Sequence, residues 1–261
     1  MTDPPAIAVL GLGEAGGAIA ADLARTGTRV VGFDPERNAP DGVEAAADAV
    51  SAVEPAAIVL SINSAAVALE VAETVAPALE PRTLYADLNT GAPALKRAIA
   101  AAIEGHDAAF ADVALMEPVP DWGVRTPALA SGEGAVRFAA AFERFGMPVT
   151  TVGPEPGAAA ARKLARSVFM KGQAAAIGEA LVAAERLGCE EWLYKNIESS
   201  LTAADGRLLR RLVEGSRRHA ARRVDEMSAA VAMLEELGVE PRVAAASEAW
   251  LRSLAGTEAR R

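Results

Sequence analysis

The stretch AIAVLGLGEAGGAIAADLARTGTRVVGFD, residues 6–34, decides the fold of this chain. It opens with an apolar run that ends at a glycine, continues with an alanine-rich segment of helical character, and closes with a second apolar run at residues 29–33, before Asp34. A β-like run, a glycine-rich turn, a helix and a second β-like run in this order are typical of a parallel βαβ unit. We therefore expect the chain to begin with a strand, a helix and a parallel strand.

The turn between the first run and the helix carries a G-x-G-x-x-G pattern, formed by Gly11, Leu12, Gly13, Glu14, Ala15 and Gly16. In this pattern the first glycine allows a tight turn, the second lets the backbone approach a pyrophosphate, and the third lets helix and strand pack closely. The N–H groups at the start of the helix favour the negative charge of a phosphate. We predict that these six residues bind a dinucleotide. The alternative is an ordinary glycine turn with a capping aspartate.

Asp34 lies 21 residues after Gly13, at the end of the second predicted strand. A carboxylate at this position accepts hydrogen bonds from the ribose hydroxyls of the adenosine half and repels a 2′-phosphate, which favours NAD over NADP. Arg37 follows three residues later and weakens that preference, because a guanidinium attracts a phosphate. We predict NAD as the cofactor, with NADP left open as the alternative.

Short β-like runs alternate with helical stretches over the first part of the chain, which is typical of a doubly wound, mostly parallel α/β sheet. We predict an NAD(P)-binding Rossmann domain over residues 1–153. Its predicted strands cover residues 7–10, 29–33, 57–61, 83–86, 108–113, 129–131 and 149–152. Its predicted helices cover residues 14–25, 64–79, 93–103 and 135–145.

The character of the sequence changes after a cluster of glycine and proline at residues 153–157. No strand is expected beyond it, and long helical patterns continue to the end of the chain. We predict an all-helical domain over residues 154–261 that binds substrate and forms a homodimer, because its long amphipathic faces need a partner. Its predicted helices cover residues 158–187, 190–201, 206–237 and 242–254.

Composition excludes several classes of protein. The formal net charge is −9 and the pI about 4.9, so no basic footprint for nucleic acid or an anionic membrane is present. One cysteine and two histidines exclude a disulfide framework and disfavour a zinc centre. No apolar run approaches the roughly 20 residues of a membrane helix, and the first ten residues lack a signal-peptide pattern. We expect a soluble, cytoplasmic protein that binds a small molecule, without nucleic acid, membrane or metal.

Three further stretches carry a family resemblance. Residues 60–63 read LSIN, residues 87–90 read DLNT, and residues 156–163 lead from Pro-Gly to Lys163. Together with the glycine loop they resemble the β-hydroxyacid dehydrogenases, relatives of 6-phosphogluconate and 3-hydroxyisobutyrate dehydrogenase. In that family the first stretch ends beside the nicotinamide and the third carries the catalytic lysine. The resemblance implies that the cofactor also contacts Ser61, Ile62, Asn63 and Asn89.

Two segments are similar to a narrower group. Residues 166–172 and 219–227 resemble a phosphogluconate dehydrogenase-like subgroup with a distinctive helical C-terminal domain. The chain departs from the wider family where that family binds a substrate carboxylate. Residues 114–120 read ALMEPVP in place of Ala-Pro-Val-Ser-Gly-Gly, and residues 163–167 read KLARS in place of Lys-x-x-Asn-Asn. Imine reductases are relatives that lack the lysine, so its presence here favours a dehydrogenase.

Lys163, Ser167 and Lys171 recur every four residues and so share one face of a predicted helix. Apolar neighbours predict that this helix is largely buried, and burial of a lysine is costly unless the group is paired or functional. A lysine desolvated beside a nicotinamide can exchange a proton with an alcohol or a ketone. Spacing alone leaves open that both lysines reach solvent, whereas the resemblance favours Lys163 as the catalytic acid/base. We predict that Ser167 and Lys171 contact the substrate.

Four polar residues lie on one face of the helix predicted over residues 206–237, beside its apolar stripe: His219, Arg222, Arg223 and Glu226. Such a cluster can bind an anionic group of a substrate. The alternative is an exposed face of ordinary ion pairs, the usual outcome for charged helix residues. We predict substrate contacts for His219 and Arg223. The resemblance adds Glu117, near the mouth of the substrate site.

These features predict an NAD(P)-dependent oxidoreductase that interconverts a small, anionic hydroxy compound and its carbonyl, with Lys163 as the acid/base. The active site is expected between the two predicted domains, at the C-terminal ends of the strands. Two alternatives stay open. One is an imine reductase-like enzyme on the same scaffold. The other is a catalytically silent dinucleotide-binding or sensor protein, which the altered substrate motif at residues 114–120 would explain.

Overall fold

The computed structural model describes residues 6–258 of the chain, which divide into two compact units. The first unit ends at Arg166 and the second begins at Ser167, within a single long helix, Ala158–Arg186. The boundary predicted after residue 153 lies a few residues before the start of this helix. The assignment of cofactor binding to residues 1–153 and of substrate binding to residues 154–261 stays a prediction.

The first unit contains an eight-stranded sheet. Its strands are β1 (Ala6–Leu10), β2 (Val30–Phe33), β3 (Glu44–Ala45), β4 (Ala56–Ser61), β5 (Leu84–Asp87), β6 (Ala109–Leu115), β7 (Ala128–Ser131) and β8 (Val149–Thr151). They lie in the order β3-β2-β1-β4-β5-β6-β7-β8, and every neighbouring pair is parallel except β6 and β7. The direction of winding changes between β1 and β4, as in doubly wound dinucleotide-binding folds. The predicted fold class is confirmed.

Helices cover both faces of this sheet. They are α1 (Glu14–Arg25), α2 (Ala49–Val53), α3 (Ala68–Val75), α4 (Pro93–Glu104), α5 (Val119–Trp122) and α6 (Ala135–Glu143). Side chains alternate along a strand. Val9 therefore joins the core cluster that contains Phe138 of α6, whereas Leu10 joins the cluster that contains Ile99 of α4. Burial of both faces explains why the strands of this unit read as continuous apolar runs.

The second unit is helical throughout its described residues. It contains the second part of α7 (Ala158–Arg186), followed by α8 (Glu190–Thr202), α9 (Gly206–Arg218), α10 (Ala220–Glu236) and α11 (Arg242–Glu258). Its core is small: the buried apolar residues Ala183, Leu234 and Ala244 pack with the partly buried Met227 and Val231. None of the helices that the structure describes is long and apolar enough to cross a membrane.

The single helix predicted over residues 206–237 is wrong. The chain forms α9 and α10 instead, and His219 separates them with φ −121° and ψ 28°. The N–H of His219 still donates to the carbonyl of Gly215, and its own carbonyl accepts from Arg223. The hydrogen-bond ladder and the apolar period therefore continue across the break, which is why periodicity did not reveal it.

Helix α7 is less buried than predicted. From Ala161 to Val182 its residues are half-buried or exposed, with Val168 77% and Phe169 62% exposed. Alanine favours a helix at any degree of exposure. The alanine-rich sequence therefore predicted the helix correctly, whereas the prediction that this helix is largely buried is wrong for the described chain.

Among the short elements absent from the sequence-based prediction are β3, α2 and α5. They contain two, five and four residues, which is too few to show a hydrophobic period. A local signal for α2 was available, because Asp48 and Ser51 form a reciprocal capping box at its start. The helix predicted over residues 64–79 shortens to α3 and one 3-10 turn, Ala76–Ala78.

Candidate functional site

The glycine loop between β1 and α1 has a backbone that requires glycine at two positions. Gly11 has φ +103°, a conformation that L side chains rarely adopt. A Cβ atom on Gly11 would overlap the carbonyl oxygen of Ile62, and one on Gly16 would overlap the carbonyl oxygen of Gly11. The end of β4, the loop and the start of α1 therefore meet with no space for a side chain between them.

Gly13 differs from these two glycines because the space beside it is open. No atom of the described residues lies within 4 Å of the position that a Cβ on Gly13 would take, apart from its own neighbours in the chain. Gly13 is the N-cap of α1, and no side chain caps that helix. An anion at this position meets N–H donors and the positive end of a 12-residue helix. The loop therefore fits a phosphate group of a dinucleotide.

Asp34 directly follows β2, and three backbone N–H groups hold its carboxylate. Oδ2 accepts from Leu12 at 2.7 Å, while Oδ1 accepts from Glu36 at 2.9 Å and from Arg37 at 3.1 Å. Each carboxylate oxygen has two acceptor positions, so Oδ2 keeps one for a ligand. The bond to Leu12 also fastens the glycine loop to the end of β2. This second task of Asp34 did not follow from the sequence.

A cavity of about 510 Å³ extends from the glycine loop over the ends of β1, β2 and β4. Its volume lies within the usual range of small-molecule sites. Five predicted cofactor-binding residues line it: Gly11, Gly13, Asp34, Ile62 and Asn63. The other six do not line this cavity: Leu12, Glu14, Ala15, Gly16, Ser61 and Asn89. The roles of all eleven as cofactor ligands stay predictions.

Polar side chains at the ends of β4 and β5 form a hydrogen-bond network. Ser61 Oγ accepts from Asn63 Nδ2 at 3.1 Å and from Asn89 Nδ2 at 3.2 Å. Asn89 Nδ2 also donates to Asp87 Oδ1 at 2.5 Å. The two strands are parallel neighbours with Ser61 opposite Asp87, so their register brings these groups together. The network orients the predicted residues Ser61, Asn63 and Asn89 through one another.

Next to this network lies a buried ion cluster that sequence reasoning missed. The Nζ atom of Lys96 lies 2.6 Å from Asp87 Oδ2 and 3.3 Å from Asp112 Oδ1, and all three residues are fully buried. Burial raises the pKa of Asp87, although Lys96 opposes this shift. A signal was available in the sequence: Lys96 shares the apolar face of α4 with Ile99 and Ile103.

Asp112 and Ser131 cap the N-terminus of α7 from two neighbouring strands. Asp112 Oδ2 accepts from the N–H groups of Gly157 at 3.1 Å and Ala160 at 3.0 Å. Ser131 Oγ donates to Asp112 Oδ2 and accepts from the N–H of Ala159, both at 3.0 Å. Asp112 and Ser131 are opposite each other in the antiparallel pair of β6 and β7. These bonds satisfy N–H groups that a helix start leaves unpaired, and they fix α7 to the sheet.

Lys163 follows this capped segment in α7. Its Nζ atom donates to Thr90 Oγ1 at 2.9 Å, and the lysine side chain is half-buried. Thr90 belongs to the turn after β5, next to Asn89, so Lys163 lies at the carboxyl ends of the parallel strands. Ligands bind at this edge in open α/β sheets. The structure thus brings the predicted catalytic lysine to the sheet edge that carries the glycine loop.

Glu117, the predicted substrate residue of the first unit, is exposed and paired. Arg166 Nη2 donates to Glu117 Oε1 at 3.0 Å, and Arg166 Nη1 donates to the carbonyl oxygen of Met116 at 2.8 Å. Arg166 lies three residues after Lys163 on α7. The ion pair therefore places a guanidinium, which the sequence did not single out as a substrate residue, close along the helix to the predicted acid/base.

Lys163, Ser167 and Lys171 follow the predicted spacing along α7, but their exposure differs. Lys163 and Ser167 are half-buried, whereas Lys171 is exposed. The exposure of Lys171 agrees with the alternative in which this lysine reaches solvent. The roles of Ser167 and Lys171 as substrate contacts stay predictions.

Of the four polar residues predicted to share one helix face, His219 lies at the break before α10 and the other three lie within α10. His219 is exposed between α9 and α10, and Arg223 Nη1 donates to Ser216 Oγ at 2.6 Å. Arg222 forms an exposed ion pair with Glu226 one turn later. This pair agrees with the alternative of ordinary surface charge. Substrate contacts by His219 and Arg223 stay predictions.

Two segments of the chain match models of known protein families. Residues 6–116 match the model described as the NAD binding domain of 6-phosphogluconate dehydrogenase, and residues 184–254 match the Domain of unknown function (DUF1932). A conserved hypothetical protein from Sinorhizobium meliloti 1021 is 30% identical, with a TM-score of 0.63 over 97% of this chain and 88% of that one. Conserved protein MTH1747, described as structurally similar to 3-hydroxyacid dehydrogenases, is 28% identical, with a TM-score of 0.61 over 95% and 96%. The chain belongs to the β-hydroxyacid dehydrogenase superfamily.

The matched NAD binding domain and the similar structures indicate an NAD(P)-dependent oxidoreductase. The predicted family and the predicted cofactor are confirmed at this level. The superfamily fold is also that of an imine reductase from Pseudomonas sp., which is 20% identical with a TM-score of 0.80 over 98% of this chain and 95% of that one. Among curated proteins, none matches the chain.

Proposed function

We propose that the chain is a dehydrogenase that transfers hydride between NAD and a small, anionic hydroxy compound, with Lys163 as the acid/base. One observation carries this proposal: Lys163 Nζ lies 2.9 Å from Thr90 Oγ1, at the sheet edge that carries the glycine loop. Interconversion of an alcohol and a carbonyl needs a proton-transfer group beside a hydride carrier. A lysine amine and a dinucleotide loop at one edge of the sheet meet that need.

The residues present fit NAD. The open space at Gly13, with the N-terminus of α1, would hold the pyrophosphate. The remaining acceptor position of Asp34 Oδ2 would hold a ribose hydroxyl. Asn63, which lines the cavity after β4, would contact the nicotinamide end, and Ser61 and Asn89 would orient it through their hydrogen bonds. When bound, NAD supplies the acceptor or donor of the hydride.

Lys163 holds and moves the proton of the reaction. In oxidation its neutral amine takes the hydroxyl proton of the substrate, and in reduction its ammonium returns a proton to the carbonyl oxygen. Thr90 Oγ1 accepts one N–H of Lys163 and so orients the amine at this edge of the sheet. Asp112 and Ser131 hold the backbone from which Lys163 projects, since they cap the start of α7.

Charge near Lys163 favours an anionic substrate. The guanidinium of Arg166 lies on α7 and contacts the exposed carboxylate of Glu117 at 3.0 Å. A substrate carboxylate can replace that of Glu117 on the guanidinium, because both present the same two oxygens. Glu117 would then be an exchange partner of the substrate. Ser167, Lys171, His219 and Arg223 remain the predicted substrate residues of the helical unit.

Turnover of small 2-hydroxy and 3-hydroxy acids tests the role of Lys163. The panel contains 3-hydroxyisobutyrate and 6-phosphogluconate, with NAD and NADP, and the reduced cofactor is followed by absorbance. Lys163→Met is expected to lower kcat/KM by about 10²- to 10⁴-fold, the usual contribution of a general acid/base. The control is Lys195→Met, which removes an exposed lysine paired with Glu191. An unchanged kcat/KM in Lys163→Met, or an equal loss in the control, contradicts the proposal.

Asp34 supports a preference for NAD within this proposal. A thermal-shift titration with NAD, NADH, NADP and NADPH measures it, because a ligand that binds only the folded state adds RT ln(1 + [L]/Kd) to stability. We expect NAD and NADH to raise the midpoint, and Asp34→Ala to reduce that shift. A shift with NADP and NADPH alone would reverse the preference and assign the adenosine end to Arg37.

An imine reductase is the second candidate function, because the chain shares the fold of imine reductases and departs from the family's substrate motif at residues 114–120. Cyclohexanone and allyl amine, the ligand pair of a solved Aspergillus terreus reductive aminase, are suitable probes. NADPH oxidation with cyclohexanone that requires allyl amine favours this candidate over the dehydrogenase. Binding of NAD(H) without turnover on either panel favours the catalytically silent protein.

A further inference from the structure

We infer that Lys96 is a positioning residue that fixes the geometry of Lys163, an inference that rests on the proposed function of that lysine. Lys96 contacts neither Lys163 nor the dinucleotide cavity in the structure. Its ammonium instead contacts Asp87, which begins the turn that carries Thr90, and Asp112, whose other carboxylate oxygen caps the N-terminus of α7.

The first contact of Lys96 is with Asp87, the last residue of β5. Lys96 Nζ donates to Asp87 Oδ2 at 2.6 Å and to the carbonyl oxygen of Asp87 at 3.1 Å. The other carboxylate oxygen accepts from the side chain of Asn89 at 2.5 Å and from its backbone N–H at 3.5 Å. Both the side chain and the main chain at the start of the 87–90 turn are therefore held, and Thr90 is the last residue of that turn.

The second contact of Lys96 is with Asp112 on β6. Lys96 Nζ lies 3.3 Å from Asp112 Oδ1, while Asp112 Oδ2 accepts from the N–H groups of Gly157 and Ala160. One carboxylate thus faces the buried ammonium with one oxygen and the start of α7 with the other. Lys163 follows Ala160 by three residues, within the first two turns of the same helix.

The bond between Lys163 and Thr90 closes a ring. It runs from Lys96 through Asp87 and the 87–90 turn to Thr90, then through Lys163 and the start of α7 to Asp112, and back to Lys96. Both carboxylates are fully buried, so without the ammonium they would repel each other in a medium that screens little. The turn and the helix start would then separate, and Lys163 would lose its distance to Thr90.

Two variants separate positioning from general stability. Lys96→Met removes the ammonium and leaves two buried carboxylates. Lys96→Met/Asp87→Asn removes one positive and one negative charge, so the net charge of the cluster stays as in the natural chain. If Lys96 only balances charge, the double variant restores both the stability and the position of Lys163. If Lys96 positions Lys163, the double variant regains stability, measured as the thermal midpoint by circular dichroism, while Lys163 stays displaced.

The position of Lys163 can be read without a substrate, because the chain contains only four lysines. Reductive methylation with ¹³C-formaldehyde gives each modified lysine an NMR signal, which lysine-to-arginine variants assign. We expect the Lys163 signal of folded Lys96 variants to move toward the signals of the exposed Lys171 and Lys195, whose own signals stay in place. An unchanged Lys163 signal in a folded variant overturns the inference. Failure of both variants to fold also overturns it, since Lys96 would then serve the fold itself.

Kinetics distinguish this inference from the proposed function. With a substrate identified from the hydroxy-acid panel, a displacement of about 1 Å is expected to lower kcat about 100-fold while the Kd for NADH is retained. If the Lys163 signal responds to Lys96 but Lys163→Met leaves turnover unchanged, the proposed function fails and the structural link stands. If Lys163→Met abolishes turnover but the Lys96 variants change neither kcat nor the signal, the inference fails and the proposed function stands.

Discussion

Gly11 and Gly13 lie two residues apart in one loop, but a side chain at each position would have different consequences. Gly11 has φ +103°, and its Cβ would overlap the carbonyl oxygen of Ile62. We expect Gly11→Ala to lower the free energy of unfolding by about 1–3 kcal/mol, the cost of a residue in a sparsely populated conformation. Gly13 has φ −62° and open space beside it. Gly13→Ala is therefore expected to keep the stability and to lose affinity for NADH, because its methyl group occupies the approach of the pyrophosphate.

Urea denaturation and a fluorescence titration with NADH measure this pair of glycine variants. A loss of stability in Gly13→Ala equal to that in Gly11→Ala would contradict the distinction between them. Undiminished NADH binding by a folded Gly13→Ala variant would show that the pyrophosphate does not bind beside Gly13.

Asp87 links the buried ion cluster to pH. Burial raises its pKa above the ordinary 3.8, so the folded chain holds this proton more tightly than the unfolded chain does. Its contribution to stability is therefore lost as the pH rises from 3.8 through the raised pKa. We expect the free energy of unfolding, measured in urea at a series of pH values, to decline more across this window in the natural chain than in Asp87→Asn. A steeper decline in Asp87→Asn would mean that Lys96 lowers the pKa of Asp87 more than burial raises it.

At the scale of elements, the start of α7 is capped by side chains from strands that precede it in the sequence. Ser131 on β7 satisfies the N–H of Ala159 and donates to Asp112, and both partners are buried. We expect Ser131→Ala to lower the free energy of unfolding by about 1–3 kcal/mol, because it leaves a buried N–H without its acceptor. Ser200→Ala is the matched control, since its hydroxyl donates to the carbonyl of Asn196 on an exposed helix surface. A similar loss in both variants would argue against the cap.

The long elements could be predicted from the sequence, whereas the contacts between them could not. The predicted bounds of α1 agree with the structure, because the glycine turn before it and the apolar period within it are both local in the sequence. The glycine loop could be predicted for the same reason. The ion cluster could not, since Asp87, Lys96 and Asp112 come from two strands and a helix that only the register of the sheet brings together. The break at His219 was missed because the apolar pattern continues across it.

At the scale of the whole molecule, the helical unit leaves large apolar side chains uncovered. Phe169 is 62% exposed, and Val168, Leu209, Leu212 and Val213 of the same unit are exposed as well. The predicted homodimer would bury such side chains. We expect sedimentation at micromolar concentration to show a dimer that Phe169→Glu weakens. Val136→Glu is the matched control, because Val136 is 71% exposed on α6 of the first unit. A monomer at this concentration, or equal weakening by both variants, would contradict the expectation.

The tryptophan fluorescence of this chain comes from residues at its surface. All three are exposed: Trp122 by 47%, Trp192 by 64% and Trp250 by 55%. We expect their emission in the folded single chain to lie close to that of an exposed indole, so that unfolding of one chain changes the wavelength little. Trp192 and Trp250 belong to the helical unit, and an association that covers them shifts the emission to shorter wavelength. The emission wavelength is therefore expected to report association through the helical unit and to respond little to the unfolding of a single chain.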